Sequence, residues 1–483
     1  MKFHPLEYFK KYIRLLQLEN YHLRRYAHIL WQQKGKQVSS PIYWTLKLII
    51  VAITAALGMI LLQLVGFYLL FLLAKVVGLV FFSIATLFWL AITILSWALL
   101  LLAASALLSP LDALIKFRII RKARKKIQNR KDLVIVAITG SYGKTTMKEV
   151  VSQFVAEKYQ ILKTPENINT PLGVARLILE KLTTDVELLI VEMGAFYKHD
   201  IRNLCRLTPP DISILTGINE SHLERFGTLA NTIQTKFEIV TFTRDNALIV
   251  LNHDDENILG NYKKFILGKK VALYGKNKNK NISYEIQNIE FSKDRMGMTF
   301  DLKGKNSYRF QLNLLGEYMP ATVMGAVTVA EQLQIPVAAV QSAARLLKPL
   351  PHRLQPIKTD QDMIIIDDSY NGNPQGVKEA VKTLARFKER RKIYISPGLV
   401  EMGTKTAEIH RAIGRDLAKV ADMVLLVRNS VTKYIAEGLE EGKFPQNNLL
   451  WFNQREQAHQ AIKGIIRRGD VLLFQNDWPE NYY

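Results

Sequence analysis

Between Leu48 and Leu111 the chain carries one formally charged side chain, Lys75. The run before it, LIIVAITAALGMILLQLVGFYLLFLLA, and the run after it, VVGLVFFSIATLFWLAITILSWALLLLAASALLSP, each exceed the ~20 apolar residues that cross a bilayer as a helix. A buried helix of a soluble protein is rarely so long or so uniform, and a cleaved signal peptide starts earlier and is shorter. A lysine at mid-bilayer is costly, which makes Lys75 the natural turn of a two-helix hairpin. Three shorter helices would also fit the length.

The flanks are basic. KFRIIRKARKKIQNRK, after the apolar run, has nine Lys/Arg and no acidic residue. Both flanks are expected on the cytoplasmic side, which requires an even number of spans and makes the membrane a partner of the chain. The 116–131 run is either an anionic-lipid contact or a topology signal and solvated linker. Upstream, Leu15, Leu16, Leu18, Tyr21 and Leu23 form an apolar set for the bilayer surface, the alternative being a helix packed on the domains that follow Lys131.

Charge follows the same division. Residues 1–131 hold 19 Lys/Arg against 3 Asp/Glu, a net +16, which leaves +6 of the total +22 for the other 352 residues. A nucleic-acid-binding body would carry its basic footprint on the folded domain, so none is expected as a partner. The single cysteine, Cys205, excludes an intrachain disulfide and any multi-cysteine metal site, and reads as a core residue.

After Lys131 short β-rich runs alternate with helical stretches: VIVAI, KEVVSQFVAEK, ELLIVEMG, DISILTGI. That alternation predicts a parallel sheet with crossover helices, an α/β fold. TGSYGKTT, Thr139–Thr146, falls between an apolar strand and a helix. Gly140 and Gly143 let backbone N–H groups wrap an anion, Lys144 adds a fixed positive charge, and Thr145 offers a hydroxyl to Mg²⁺. The longer phosphate-loop pattern begins with a glycine where this chain has Ile138, so the generic motif is partly met. Glu192 ends LLIVEMG, His222 lies in TGINESHLERFG and Lys236 in TIQTKFEIV. Taken singly they are a strand-end carboxylate, a loop histidine and a helix-surface lysine.

Together with TGSYGKTTMKE, NINTPLGV, VEMGA, HLERFGTLANTIQTKFEI, LNHDD, LPHRLQPI, IIDDSYNGNPQG, PGLVEMG and EIHRAIG, they resemble the ATP-dependent Mur ligases over roughly residues 132–470. The likeness is strongest to the MurF type, which adds a dipeptide to a cell-wall precursor. The resemblance implies that Gly140, Ser141, Gly143, Lys144, Thr145 and Thr146 hold the ATP phosphates. It implies magnesium on Thr145 and Glu192, with His222 in a second magnesium site. Lys236 is similar to the family's carbamylated lysine, which gains a carboxylate from CO₂; Lys144, His222 and Lys236 are thus the expected catalytic set. Asn252 matches an adenine contact, and Arg353 and Asp368 match C-terminal residues that reach phosphate and ribose on closure. Asn167, Asn169, Thr170 and Asn371 match substrate-facing positions. The expected partners are a cell-wall precursor and an amino acid or dipeptide.

Departures accompany the matches. A membrane hairpin stands where the family has a domain that grips the UDP end of the precursor. In GEYMPATVMGA, Tyr318, Met319 and Thr322 replace the family's His and Asn positions; Pro397-Gly398 replaces Gly-Asp; and the family's Lys-Gly-Ser-Arg ending is absent from GDVLLFQNDWPENYY. The expected architecture is a basic amphipathic segment (1–47), a transmembrane hairpin (48–115), a basic linker (116–131), a phosphate-loop ATP-binding domain (132–355) and a Rossmann-like α/β domain (356–483). The expected activity is acid–amino-acid ligation through an acyl phosphate in peptidoglycan precursor synthesis. Its rivals are a ligase for another acidic or lipid-linked acceptor, and a non-catalytic scaffold of cell-wall assembly.

Overall fold

The computed structural model describes residues 5–18, 21, 23, 26–27, 42–75, 79–221, 223–276, 282–359, 362–370, 372–400 and 402–475. Two compact units divide the chain, residues 1–118 and residues 119–479.

The first unit is helical. α1 (Pro5–Leu18) precedes α2 (Leu46–Ala74) and α3 (Leu79–Gln128). Thr45 caps α2 through a hydroxyl that accepts from Leu48 N–H, and Lys75 is its C-terminal cap. The two long helices run antiparallel: Lys47 pairs with Asp112 at 2.9 Å, Ser96 Oγ lies 3.9 Å from Met59 Sδ, and Trp89 Nε1 donates to Gln63 at 3.3 Å. Two stretches are long and apolar enough to cross a membrane, Leu46–Ala74 and Ser96–Gln128, each holding an 18-residue window of mean hydropathy 2.7 and 2.1 respectively. Leu57, Leu64, Phe67, Phe71, Leu87, Phe88 and Leu107 all stand more than half exposed. Leu15 and Leu16, read above as facing a bilayer, are instead buried with Ile13 against Leu48, Val51, Ala55 and Leu101. A neighbouring helix surface desolvates them as well as lipid would.

Residues 116–131, expected as a linker, lie in α3 as far as Gln128. Ala123 and Ile127 are buried in the core of the second unit with Leu133, Ile135, Val174 and Ile178. Lys126 Nζ donates to the carbonyls of Ile178 and Leu179 at 3.0 and 3.3 Å, at the end of the helix that closes at Lys181, where a cation meets the negative end of the helix dipole. Arg130 donates to the carbonyls of Thr183 and Val186. Part of the basic run is therefore structural.

In the second unit β1 (Val134–Thr139), α4 (Lys144–Val155), β2 (Ile161–Lys163), α5 (Pro171–Lys181), β3 (Leu188–Met193), α6 (Asp200–Leu207), β4 (Ile212–Leu215), α7 (Leu229–Thr241), β5 (Leu248–Asn252) and β6 (Lys270–Tyr274) build a parallel sheet of order β2-β3-β1-β4-β5-β6. Its strands read as continuous apolar runs because both faces are covered. A meander of β7 (Tyr284–Phe291), β8 (Met298–Gly304) and β9 (Ser307–Leu312) follows, then α8 (Met319–Gln332) and α9 (Val337–Arg345). The last domain comprises β10 (Gln355–Lys358), β11 (Ile364–Asp368), α10 (Pro374–Ala385), β12 (Lys392–Ser396), α11 (Thr406–Ala418), β13 (Met423–Val427), α12 (Thr432–Glu441), β14 (Leu449–Phe452), α13 (Arg455–Ile465) and β15 (Val471–Gln475). Its sheet order is β10-β11-β15-β12-β13-β14, parallel except for the antiparallel edge β10–β11.

Candidate active site

β1 is central in its sheet, with β3 and β4 on either side. The residues that follow these three strands therefore meet at one carboxyl edge, where open α/β sheets bind ligands. The loop after β1 is held by its neighbours. Ser141 N–H donates to Gly217 O at 2.7 Å, and the Thr216 hydroxyl donates to Thr139 O at 3.1 Å and to Tyr142 O. A Cβ on Gly140 would lie 2.1 Å from that Thr216 hydroxyl, and Gly143 takes the left-handed φ of 76° as it opens α4. Tyr142 reaches across to Asp255, 2.6 Å from Oδ2. The loop is thus preset, with free N–H groups of a helix start beyond it.

Charge is concentrated below the loop. Lys144 Nζ donates to Gly140 O at 2.7 Å. The Glu192 carboxylate, 6 % exposed, accepts from Thr145 Oγ1 at 3.0 Å, and Lys148 Nζ lies 3.1 Å from the same oxygen, Oε2. Burial alone would raise the Glu192 carboxyl, but Lys144 and Lys148 outweigh it and hold the group below the usual carboxylate range. Lys236, read singly as a helix-surface residue, is 4 % exposed on α7. Burial, with Lys144 adding to it, drives its ammonium well below the ordinary lysine value, while Asp200 and Glu192 oppose this from a distance. His222 lies outside the described residues, as does Asn371.

A carboxylate and a hydroxyl that converge beside a phosphate-type loop suit magnesium, which takes one or two protein oxygens and completes its shell with water and phosphate. No group of three or more His, Cys, Asp or Glu gathers as a metal cage among the described residues. The donors present fit a metal that arrives with nucleotide.

The C-terminal domain supplies the facing side. The Arg353 guanidinium sits 4.6 Å from the Tyr370 ring centroid, and its buried Nε has no hydrogen-bond partner among the described residues. Burial pushes the Asp368 carboxyl up to about 7, against donation from Gln475 and from Leu354 N–H. Among the described residues, Tyr370 Oη donates to Asn167 and Asn219 Nδ2 donates to Asn373 at 3.1 Å across the two domains, and Arg386 pairs with Glu317 across them at 2.7 Å. Asn167 is held at φ 66° in the loop before α5.

Other expected residues have local tasks. Asn252 donates to Thr216 O at 2.8 Å and accepts from Asp254 N–H at 3.0 Å. Asn169 accepts from Gly194 N–H through its backbone, and the Thr170 hydroxyl caps α5. Thr146 and Tyr318, with Glu149, Met319 and Arg353, line a cavity of about 30 Å³. Tyr318, one of the departures, packs against both the ATP-domain core and the C-terminal core. Lys148, Asn219 and Tyr370 were missed from sequence. Only Lys148 left a trace there, at the i, i+3, i+4, i+7 spacing of the buried Val151, Ser152 and Val155.

Two family descriptions match this chain: the Mur ligase middle domain over residues 138–330, and the Mur ligase glutamate ligase domain over residues 352–475. The chain belongs to the Mur ligase family. Named relatives agree on the type. The UDP-N-acetylmuramoyl-tripeptide–D-alanyl-D-alanine ligase of Bacillus subtilis is 25% identical over 342 residues, 71% of this chain and 72% of that protein. The Escherichia coli enzyme of the same name is 29% identical over 339 residues, 69% of this chain and 74% of that protein. Among solved structures, the MurF ligase of Thermotoga maritima in complex with ADP superposes with a TM-score of 0.65 at 24% identity, covering 75% of this chain and 80% of that one. The Mur ligase match thus begins within β1, after the apolar helices.

Proposed function

We propose that this Mur ligase activates a muramoyl-peptide carboxylate as an acyl phosphate and joins it to an amino acid or dipeptide at the inner face of a membrane. Mur ligases of this kind form amide bonds with ATP in peptidoglycan precursor synthesis, and the chain is such a ligase. D-alanyl-D-alanine is the amine donor that the relatives' names favour. The convergence of the phosphate loop, Thr145, Glu192 and buried Lys236 at one sheet edge carries this reading.

Joining an amine to a carboxylate in water is uphill, so the carboxylate must first be activated. Its oxygen attacks the γ-phosphorus, ADP departs, and the amine nitrogen then displaces phosphate from the acyl carbon. Positioning and charge neutralisation do most of the work in phosphoryl transfer. Gly140, Ser141, Gly143, Lys144, Thr145 and Thr146 hold the phosphates; burial lowers the Lys144 ammonium from its ordinary value, Glu192 opposes this, and the charge of bound phosphate would favour its protonated form. Thr145 and Glu192 would hold magnesium, which supplies charge neutralisation on the transferred group. Arg353 brings a second cation from the facing domain, and Asp368 and Asn252 take the nucleoside. Asn167, Asn169 and Thr170 face the substrates, and the family resemblance gives Asn371 the same role. Lys236, disfavoured as a cation where it is buried, is suited to react with CO₂ as a neutral amine, and the resulting carbamate would offer oxygens to a metal, the role the family resemblance shares between it and His222.

The hairpin supports a membrane location with the catalytic domains cytoplasmic, where ATP is. Its outward apolar surface matches lipid, and it stands ahead of the ATP-binding domain where a soluble precursor would otherwise be gripped. A lipid-linked acceptor follows. Phosphate release by the detergent-solubilised chain, with D-alanyl-D-alanine and either UDP-linked or lipid-linked muramoyl tripeptide, tests both parts. Turnover with the lipid-linked acceptor is expected to be the faster; turnover with neither would leave the scaffold reading. Topology is tested by single cysteines at Ser39, Lys75 and Gln128 on a Cys205→Ser background. Only the cysteine at 75 should react with an impermeant reagent from outside the cell; labelling at 39 without 75 would overturn the hairpin.

A further inference from the structure

Lys148 is a lysine with no exposed side-chain surface, one helical turn beyond Lys144 on the apolar face of α4. Lysines are almost never fully buried unless they are paired. Its ammonium lies 3.1 Å from Glu192 Oε2 and 3.9 Å from Glu149 Oε1, and Glu149 is itself engaged by Lys163. Lys148 and the Thr145 hydroxyl share one oxygen of Glu192, Oε2, and neither engages Oε1. Two lysines, Lys144 and Lys148, thus act on one buried carboxylate.

We infer that Lys148 is a positioning residue that fixes the rotamer of Glu192 and keeps a bare divalent cation out until nucleotide phosphates arrive. This rests on the reading of Glu192 as a magnesium ligand. A cation approaching Oε1 alone meets a carboxylate already offset by an ammonium, in surroundings where charges interact strongly. The phosphates of ATP bring several negative charges and reverse that balance. Cation and nucleotide then enter as one unit, and Glu192 is aimed before either arrives. By linkage, nucleotide must tighten cation binding as much as cation tightens nucleotide binding.

The test is Mn²⁺ binding to the full-length protein in detergent, read by electron paramagnetic resonance of free Mn²⁺, with and without ADP. Wild type is expected to bind Mn²⁺ poorly alone and well with ADP. Lys148→Met should bind Mn²⁺ without nucleotide roughly tenfold more tightly and lose most of the enhancement by ADP. Lys148→Arg, which keeps the charge, should behave as wild type. Lys148→Gln, which keeps a donor and drops the charge, gives the same reading should the methionine variant not fold. A folded neutral variant with unchanged or weaker nucleotide-free Mn²⁺ binding would overturn the inference. Glu192→Gln separates the two levels. Mn²⁺–ADP binding that ignores this change removes the magnesium reading itself; binding that needs Glu192 but ignores Lys148 removes only the inference.

Discussion

The two sides of the nucleotide cleft are built differently. On the ATP-domain side, Lys144, Lys148, Glu192 and Lys236 are buried or half-buried at the ends of sheet strands and on helices that pack against them. On the C-terminal side, Arg353, Tyr370 and Asn373 sit on loops, and the flanking His352 and Leu354 take left-handed φ of 59° and 45°. A strand end cannot move without its sheet, whereas a loop can move while its domain stays folded. The chemistry is therefore anchored in one domain and completed by the other.

The largest break in this contrast should come from Lys144→Ala. Loss of ATP turnover by at least about a thousandfold is expected, with thermal unfolding of the detergent-solubilised protein almost unchanged. Wild-type-like turnover would refute the ligase reading. Next comes Lys236→Ala, with a loss on the order of a hundredfold and partial recovery on adding short carboxylates, which fill the missing oxygen donors. Lys236→Arg should stay inactive, since a guanidinium keeps its charge and forms no carbamate; an active arginine variant would return Lys236 to a packing role.

On the C-terminal side the effects should be smaller and should separate stability from catalysis. Gly398 has φ +81°, and a Cβ there would lie 2.8 Å from Val431 and 3.1 Å from His410. Gly398→Ala should lower the stability of this domain by about 2 kcal/mol in urea unfolding. An unchanged midpoint would show that the loop adapts. Tyr370→Phe removes only the hydroxyl bonded to Asn167, so kcat/KM should fall about fivefold, near 1 kcal/mol, with stability kept. A hundredfold loss would mean that Tyr370 touches substrate.

The smallest effect concerns pH. His410 is buried, its Nε2 accepts from Leu399 N–H at 2.9 Å, and its Nδ1 lies 2.6 Å from Thr406 O. Burial holds the imidazole below its ordinary value. The unfolded chain therefore binds the proton more readily, so this contribution is complete above about pH 6.5 and is lost as the pH falls toward the folded value. Urea midpoints at pH 7.5 and pH 5 should differ in wild type more than in His410→Gln; equal differences would assign the loss to other groups.

The same contrast explains what could be read from sequence. The phosphate loop, Glu192 and the parallel sheet follow from local spacing, because an apolar strand, a glycine turn and a helix start lie within a few residues of one another. Lys236 has Ile233, Ile239 and Val240 at the i−3, i+3 and i+4 spacing of a buried helix face, but a lysine in such a stripe reads as surface because lysines are almost never fully buried. Tyr370 and Asn219 act through partners about 150 or more residues away, which no window reveals. The basic run after the hairpin hides its packing for a similar reason. Its charges suggested a solvated linker, and the buried pair Ala123 and Ile127, four residues apart, was outweighed by them.

The bonds Tyr370–Asn167 and Asn219–Asn373 also bear on tempo. Opening the cleft requires both to part, together with the Arg386–Glu317 ion pair. The two hydrogen bonds alone, at about 1 kcal/mol each, favour the shut form by roughly thirtyfold. Opening is then the slow event of each cycle, and a rapid-quench experiment should show a burst of one product per enzyme followed by a slower steady rate. Weakening either bond would quicken the steady phase while eroding the burst, so the pace of turnover depends on how firmly one phenol and three amide side chains hold on.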